Sequence, residues 1–207
     1  MAVDLKALVE ATIDSVIRGF DPDDPGSYER WDPELERVEV SLRNSAAKLD
    51  PLLLPSVCAE RIRIASEAGK PSVVAERSAR FLSEFPATVP SFSWVTSLRL
   101  DALHGLGDHE EEVRDGLDAA RKPELRGGEY VLLLSSLCRR HPGCLPLDEG
   151  LWRKLQRAVA DLRAVGYGAL SGAAGGPAQL EQAVCRIADE LRRVNRERGE
   201  ALLSATP

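Results

Sequence analysis

The chain has 207 residues, a net charge of −6 and 29% charged residues, but only 5% aromatic residues. A chain of this length can bury a substantial apolar core, and its acidic balance lacks the basic surface of a nucleic-acid binder. It also offers few aromatic rings on which unpaired bases could stack. Composition therefore argues against a nucleic-acid partner.

The N-terminal twenty residues predict an amphipathic helix rather than a targeting segment. Their apolar residues recur at steps of three and four, and both a basic start and a continuous apolar run are missing. No apolar stretch in the sequence reaches the length of a membrane span. We expect a cytoplasmic protein without a membrane partner, in which the four cysteines are free thiols. The excess of arginine over lysine favours a bacterial origin.

Helical spacing continues as far as residue 166. A second helix is predicted to begin with Asp32 as N-cap and Pro33 in the first turn. Further helices follow, each bounded by proline or glycine. The segment EYVLLLSSLCRRH is apolar nearly all round, so we expect it at the centre of the core. No useful stretch alternates with the period of a strand, and the predicted fold class is all-α.

A repeated turn connects several of these helices. Gly69, Gly107 and Gly143 each lie between two predicted helices, at spacings of 38 and 36 residues. The stretches AGKPSVVAERSARFLSEFP and LGDHEEEVRDGLDAARKP share one form: a glycine turn, a helix of about four turns and a final proline. Such regularity indicates a helical repeat.

The second stretch resembles the latter half of a tetratricopeptide repeat (TPR), and the resemblance covers about residues 65–123. The residues that carry it are Gly107, Asp108, Ala119 and Pro123, with Gly69, Phe81 and Pro86 in the first copy. The large aromatic and the Leu-Gly pair of the first TPR helix are missing, and the period exceeds the roughly 34 residues of that family. The resemblance implies stacked antiparallel helix hairpins, a TPR-like α-solenoid, to which the helical spacing of the last residues adds a long C-terminal helix. An irregular helical bundle is the alternative.

The stretch SSLCRRHPGCLP is the nearest thing to a chemical signature. Cys138, His141 and Cys144 are spaced by three residues, and all are good zinc ligands, but a closed zinc site needs four. The favoured interpretation is a helix end with a buried Cys138 and a basic last turn. We therefore expect no metal and no cofactor. A metal-dependent or enzymatic helical bundle centred on these three residues is the alternative function.

The C-terminal part is predicted to form a separate helix. The segment GYGALSGAAGGP lacks lysine and follows a helix, so it is interpreted as a Gly-rich linker, 167–176, between a repeat domain, 1–166, and a C-terminal helix, 177–207. The helix is expected to cap the repeat stack, or else to bind a partner or a second copy of the chain. Its apolar residues have the spacing of a coiled-coil seam: Leu180, Val184, Ile187, Leu191 and Val194.

The TPR resemblance implies an adaptor or scaffold that binds another protein in a groove lined by the first helix of each pair. Five arginines are placed on these helices as exposed candidates for contacting an acidic peptide or a C-terminal carboxylate. They are Arg61, Arg63, Arg99, Arg139 and Arg140. No catalytic constellation and no G-x-S-x-G motif occurs, so we expect that the chain is not an enzyme.

Overall fold

The helical periodicity of the sequence is realised in the part of the chain that the structure describes. The structure is a computed structural model, and it describes residues 5–45, 50–145, 148–164 and 177–204. Within these ranges the chain forms ten helices and no strand. None of the helices in the described ranges is long and apolar enough to cross a membrane. The prediction of an all-α fold is confirmed.

The chain divides into two units, Met1–Asp108 and His109–Pro207. Consecutive helices of the first unit pack on each other across short connections, which makes neighbours antiparallel. Its helices are α1 Leu5–Gly19, α2 Ser27–Arg43, α3 Leu53–Glu67, α4 Pro71–Glu84 and α5 Phe92–Leu106.

Helix α3 lies at the centre of the first unit because it is apolar on two sides. Val57 and Ile64 belong to a core shared with α1 and α2. Ile62 and Ala65 belong to a second core, which α4 and α5 complete with Phe81 and other apolar residues. Fully burying a side chain of the size of Val or Ile contributes about 1.5–3 kcal/mol. The two cores together hold the five helices.

The glycine turns predicted from the repeat are present. Gly69 has a φ of 65° and Gly107 a φ of 77°, in the left-handed region that favours glycine. In both turns the following residue donates its N–H to a carbonyl five residues earlier: Lys70 to Ala65 at 3.0 Å, and Asp108 to Leu103 at 3.0 Å. This bond is characteristic of the Schellman motif, so both helices end in the same way.

Helix α2 begins earlier than predicted. It starts at Ser27, so Asp32 is not its N-cap, and Pro33 lies inside the helix. The preceding acidic segment forms its own turn, in which Asp24 Oδ1 accepts the N–H of Gly26 at 2.9 Å. Asp32 is thereby free to interact with other helices, as described below.

The second unit is built around α7, as predicted. Its helices are α6 His109–Arg121, α7 Gly127–Arg140, α8 Glu149–Ala164, α9 Pro177–Val194 and α10 Arg196–Ser204. Helix α7 packs against α6, α8 and α9. Its Tyr130 is fully buried and donates its hydroxyl to the Leu151 carbonyl at 3.0 Å, which connects α7 to α8.

The long C-terminal helix is interrupted, contrary to the prediction. Helix α9 ends at Val194, and Asn195 Oδ1 accepts the N–H of Arg198 at 3.2 Å, which caps the start of α10. A Cβ at Gly199 would lie 2.7 Å from the Ala188 carbonyl oxygen, so the close approach of α10 to α9 requires glycine. The predicted Gly-rich linker lies outside the described residues.

Candidate functional site

Two of the arginines predicted to be exposed are buried in the first unit. The Arg61 side chain is 10% exposed and contacts Glu39 at 2.8 Å and Asp32 at 3.0 Å. Arg99 donates to the Ala75 carbonyl at 2.5 Å. The predicted exposure of Arg61 and Arg99 is wrong because both helices that carry them are covered on more than one side.

Asp32 is the centre of this buried ion-pair network. Arg77 approaches it with two nitrogens, at 2.7 and 2.8 Å, and Arg61 with two more, at 3.0 and 3.3 Å. Burial raises the pKa of the Asp32 carboxyl, but the hydrogen bonds from Arg77 and Arg61 outweigh it, so the net pKa lies below its usual value. The network connects α2, α3 and α4, and it was missed because Asp32 was assigned to a helix end.

Arg63 also has ion-pair partners within the first unit. It contacts Glu60 and Glu67 of its own helix at 2.6 Å each, and its guanidinium lies 5.6 Å from the centre of the Phe20 ring. The spacing of three and four residues to these glutamates is visible in the sequence. Such pairs are common on a helix surface and leave less of the arginine for a partner.

The two arginines at the end of α7 differ from each other. Arg140 donates to Glu112 at 2.9 Å. Arg139 is exposed and has no ion pair or hydrogen bond to any residue that the structure describes. Of the five predicted arginines, Arg139 is therefore the best placed to meet a partner.

The apolar residues predicted as a coiled-coil seam in the C-terminal helix pack against the rest of the second unit. Helix α9 packs on α7, and Leu180, Val184, Ile187 and Leu191 are almost fully buried. Val194 alone of the five is exposed. The capping alternative accounts for this packing, and the four buried residues are not available to a second copy.

A groove of about 630 Å³ lies between the end of α7 and the outer face of α9. It combines small apolar side chains with charged groups of both signs. The lining residues are Cys138, Arg139, Pro142, Ala178, Glu181, Gln182, Cys185, Arg186, Asp189, Glu190 and Arg193. Arg186 is held by the Ser135 hydroxyl at 3.0 Å, and Arg193 by Glu190 at 3.3 Å.

The three residues of the predicted metal alternative do not come together as a ligand set in the described part of the chain. Burial raises the pKa of the Cys138 thiol to about 12 and that of Cys144 to about 11, as expected for thiols packed in the protein interior. His141 instead approaches Glu112, with 2.6 Å between Nε2 and Oε2.

A different cluster forms where the start of α6 meets the end of α7. Glu112, in the first turn of α6, is fully buried and accepts a hydrogen bond from Arg140 through Oε1. Its Oε2 lies 2.6 Å from His141 Nε2 and 3.7 Å from His109 Nδ1. Glu112 was not singled out from the sequence. The three-residue spacing of His109 and Glu112, which places them on one face of α6, was the available signal.

Comparison with known proteins identifies the fold. Two solved structures share it: a single-substitution form of a Podosopora anserina protein designated a kinesin light chain, with nearly identical TPR-like repeats, and the corresponding protein without that substitution. Their TM-scores are 0.52 and 0.51 at 15% identity, and the matches cover 96% and 97% of this chain and 91% and 92% of those chains. No protein-family model and no curated protein matches the sequence. The predicted TPR-like fold is confirmed.

Proposed function

We propose that the chain is a non-enzymatic adaptor that binds a segment of another protein in the groove between α7 and α9. The observation that supports it most directly is Arg139, an exposed guanidinium at the edge of this groove with no ion pair or hydrogen bond among the described residues. The TPR-like fold supports an interaction role in general. The groove is where we expect that role to be carried out.

The lining of the groove, which also carries the acids Glu181, Asp189 and Glu190, favours one class of partner. Ala178 and Pro142 offer small apolar surface, while Arg139 offers a planar guanidinium that can bind a carboxylate through two parallel hydrogen bonds. The neighbouring cations Arg186 and Arg193 are already held by Ser135 and Glu190. A short acidic segment or a C-terminal carboxylate, flanked by small apolar side chains, would satisfy these groups.

Peptide selection on the full chain tests this proposal. A random peptide library is selected against the unmodified protein, and enriched peptides are synthesised and measured by fluorescence anisotropy. The enriched peptides should carry Asp, Glu or a free C-terminal carboxylate. Hydrogen bonds to charged groups contribute about 1.5–3 kcal/mol, so Arg139→Glu should weaken binding at least about tenfold.

Arg157 provides the matched control. It is an exposed arginine on α8, it lies outside the groove lining, and it too has no ion pair or hydrogen bond among the described residues. Arg157→Glu changes the net charge equally and should leave the affinity unchanged. Equal weakening by both variants, or no effect of Arg139→Glu, would show that the groove is not the binding surface.

A further inference from the structure

We propose that His109, Glu112 and His141 form a binding site for a divalent zinc ion that connects α6 to α7 in the second unit. The site is distinct from the proposed peptide groove, whose lining includes none of the three residues. It also differs from the set Cys138, His141 and Cys144, because its ligands are two imidazoles and one carboxylate. These are ligand types that zinc binds well, and three of them leave one position for water.

The two distances from Glu112 Oε2 to the histidine nitrogens fit zinc after small movements. Tetrahedral zinc with bonds of about 2.1 Å separates its ligands by about 3.4 Å. His109 Nδ1 and Glu112 Oε2 are 3.7 Å apart, so this pair needs to close only slightly. His141 Nε2 and the same oxygen are 2.6 Å apart and would open by less than about 1 Å when the metal replaces the proton between them. All the ligand atoms lie within 4.8 Å of one another.

A hydrogen bond from Arg140 orients the Glu112 carboxylate for metal binding. Arg140 binds Oε1 at 2.9 Å, which leaves Oε2 facing both histidines. Partners that fix a metal-binding carboxylate in this way are a regular feature of protein metal sites. Glu112 itself is fully buried and cannot rotate away to water. His141 is 13% exposed and contacts Glu112 at 2.6 Å, so these two ligand groups are held in place before a metal arrives.

His109 supplies the route of entry. Its side chain is 56% exposed, and its ring centre lies 5.2 Å from that of His141. An exposed imidazole can adjust its rotamer to complete the site at small cost. The same exposure means that His109 can be replaced without opening a cavity in the core, which makes it the most informative position for a test.

Zinc titration of the chelator-treated full chain, in competition with a chromogenic chelator, tests this site. We expect saturable binding of one zinc ion per chain. Loss of an outer partner of a metal ligand typically lowers affinity about 10–100-fold, so His109→Ala, which removes a direct ligand, should lower it about 100-fold. His141→Gln should have a similar effect. Circular dichroism establishes that each variant retains the helical content of the unmodified chain.

Cys144→Ser is the control, because it removes the half-buried thiol three residues after His141 but none of the proposed ligands. Its zinc affinity should equal that of the unmodified chain. The cobalt-substituted protein should lack the charge-transfer absorption of a thiolate ligand. In the unmodified protein, side-chain NMR should show His109 and His141 responding together to one equivalent of zinc. The proposal is wrong if zinc does not bind saturably, if the affinity survives His109→Ala, or if it is lost in Cys144→Ser.

Discussion

Replacing Asp32 with asparagine should markedly lower the free energy of unfolding of the first unit, although the sequence alone gives no sign that Asp32 is buried among arginines. The carboxylate receives four short contacts from two arginines, and its side chain is 13% exposed. Asparagine keeps the size and one acceptor oxygen but removes the charge. Arg61 retains Glu39 at 2.8 Å, whereas Arg77 has no other carboxylate among the described residues.

The expected loss of stability follows from the different partners that remain for Arg61 and for Arg77. Removing one partner of a buried ion pair typically costs about 3–5 kcal/mol because the remaining charge is left without compensation. The second acid on Arg61 and the 25% exposure of the Arg77 side chain place Asp32→Asn at the lower end, about 3 kcal/mol. With a urea m-value of about 2–3 kcal/mol/M, the unfolding midpoint should fall by about 1 M or more.

Urea unfolding followed by circular dichroism and tryptophan fluorescence measures this effect. Asp14→Asn is the matched control, since Asp14 pairs with Arg18 at 3.2 Å on the surface of α1 and is 63% exposed. Such a surface pair contributes about 0.5 kcal/mol or less. If Asp32→Asn and Asp14→Asn shift the midpoint equally, the buried network does not have the energetic role that its geometry implies.

Two further predictions concern acid stability and thiol reactivity. The pKa values of Asp32 and Glu39 are lowered in the folded chain, because arginine hydrogen bonds outweigh the effect of burial. Their contribution to the free energy of unfolding should therefore persist above about pH 5 and be lost as the pH falls below about 4, and urea unfolding of Asp32→Asn should depend less steeply on pH in this range. With a thiol reagent, exposed Cys185 should react first and half-buried Cys144 more slowly. Cys58 and Cys138, whose pKa values burial raises to about 12, should react only on unfolding; rapid labelling of all four in the native chain would contradict the packing.

Most of the fold could be predicted from local sequence signals. Gly69 and Gly107 end their helices as expected because a left-handed turn has a clear chemical signature. The start of α2 was misplaced because Asp32 followed by Pro33 also has the appearance of a helix start. The break at Asn195 was missed because no proline marks it, although residues 195–200 carry no apolar side chain. The need for glycine at 199 arises only when α10 approaches α9.

The site residues were harder to predict because their environment depends on other helices. Helical position correctly placed Arg139 on the surface but gave no information about Asp32, which is 29 residues from Arg61 in sequence and in contact with it in the fold. His141 was recognised as a possible ligand, but its partner Glu112 is also 29 residues away. Spacing within one helix can be read from a sequence, whereas a pair formed across two helices requires their packing to be known.

The buried network also shows why arginine content alone does not identify a binding surface. Replacing a whole buried ion pair with apolar residues of similar size is often neutral for stability, while removing one partner is costly. The complete network of Arg61, Asp32 and Arg77 therefore adds little to the stability that the apolar cores provide. It disfavours any other packing of α2, α3 and α4, because such a packing would separate the charges. An arginine held in this way uses its hydrogen-bond donors within the fold and has few left for a partner. Arg139, exposed at the edge of the α7–α9 groove, can offer its full hydrogen-bonding capacity to another molecule.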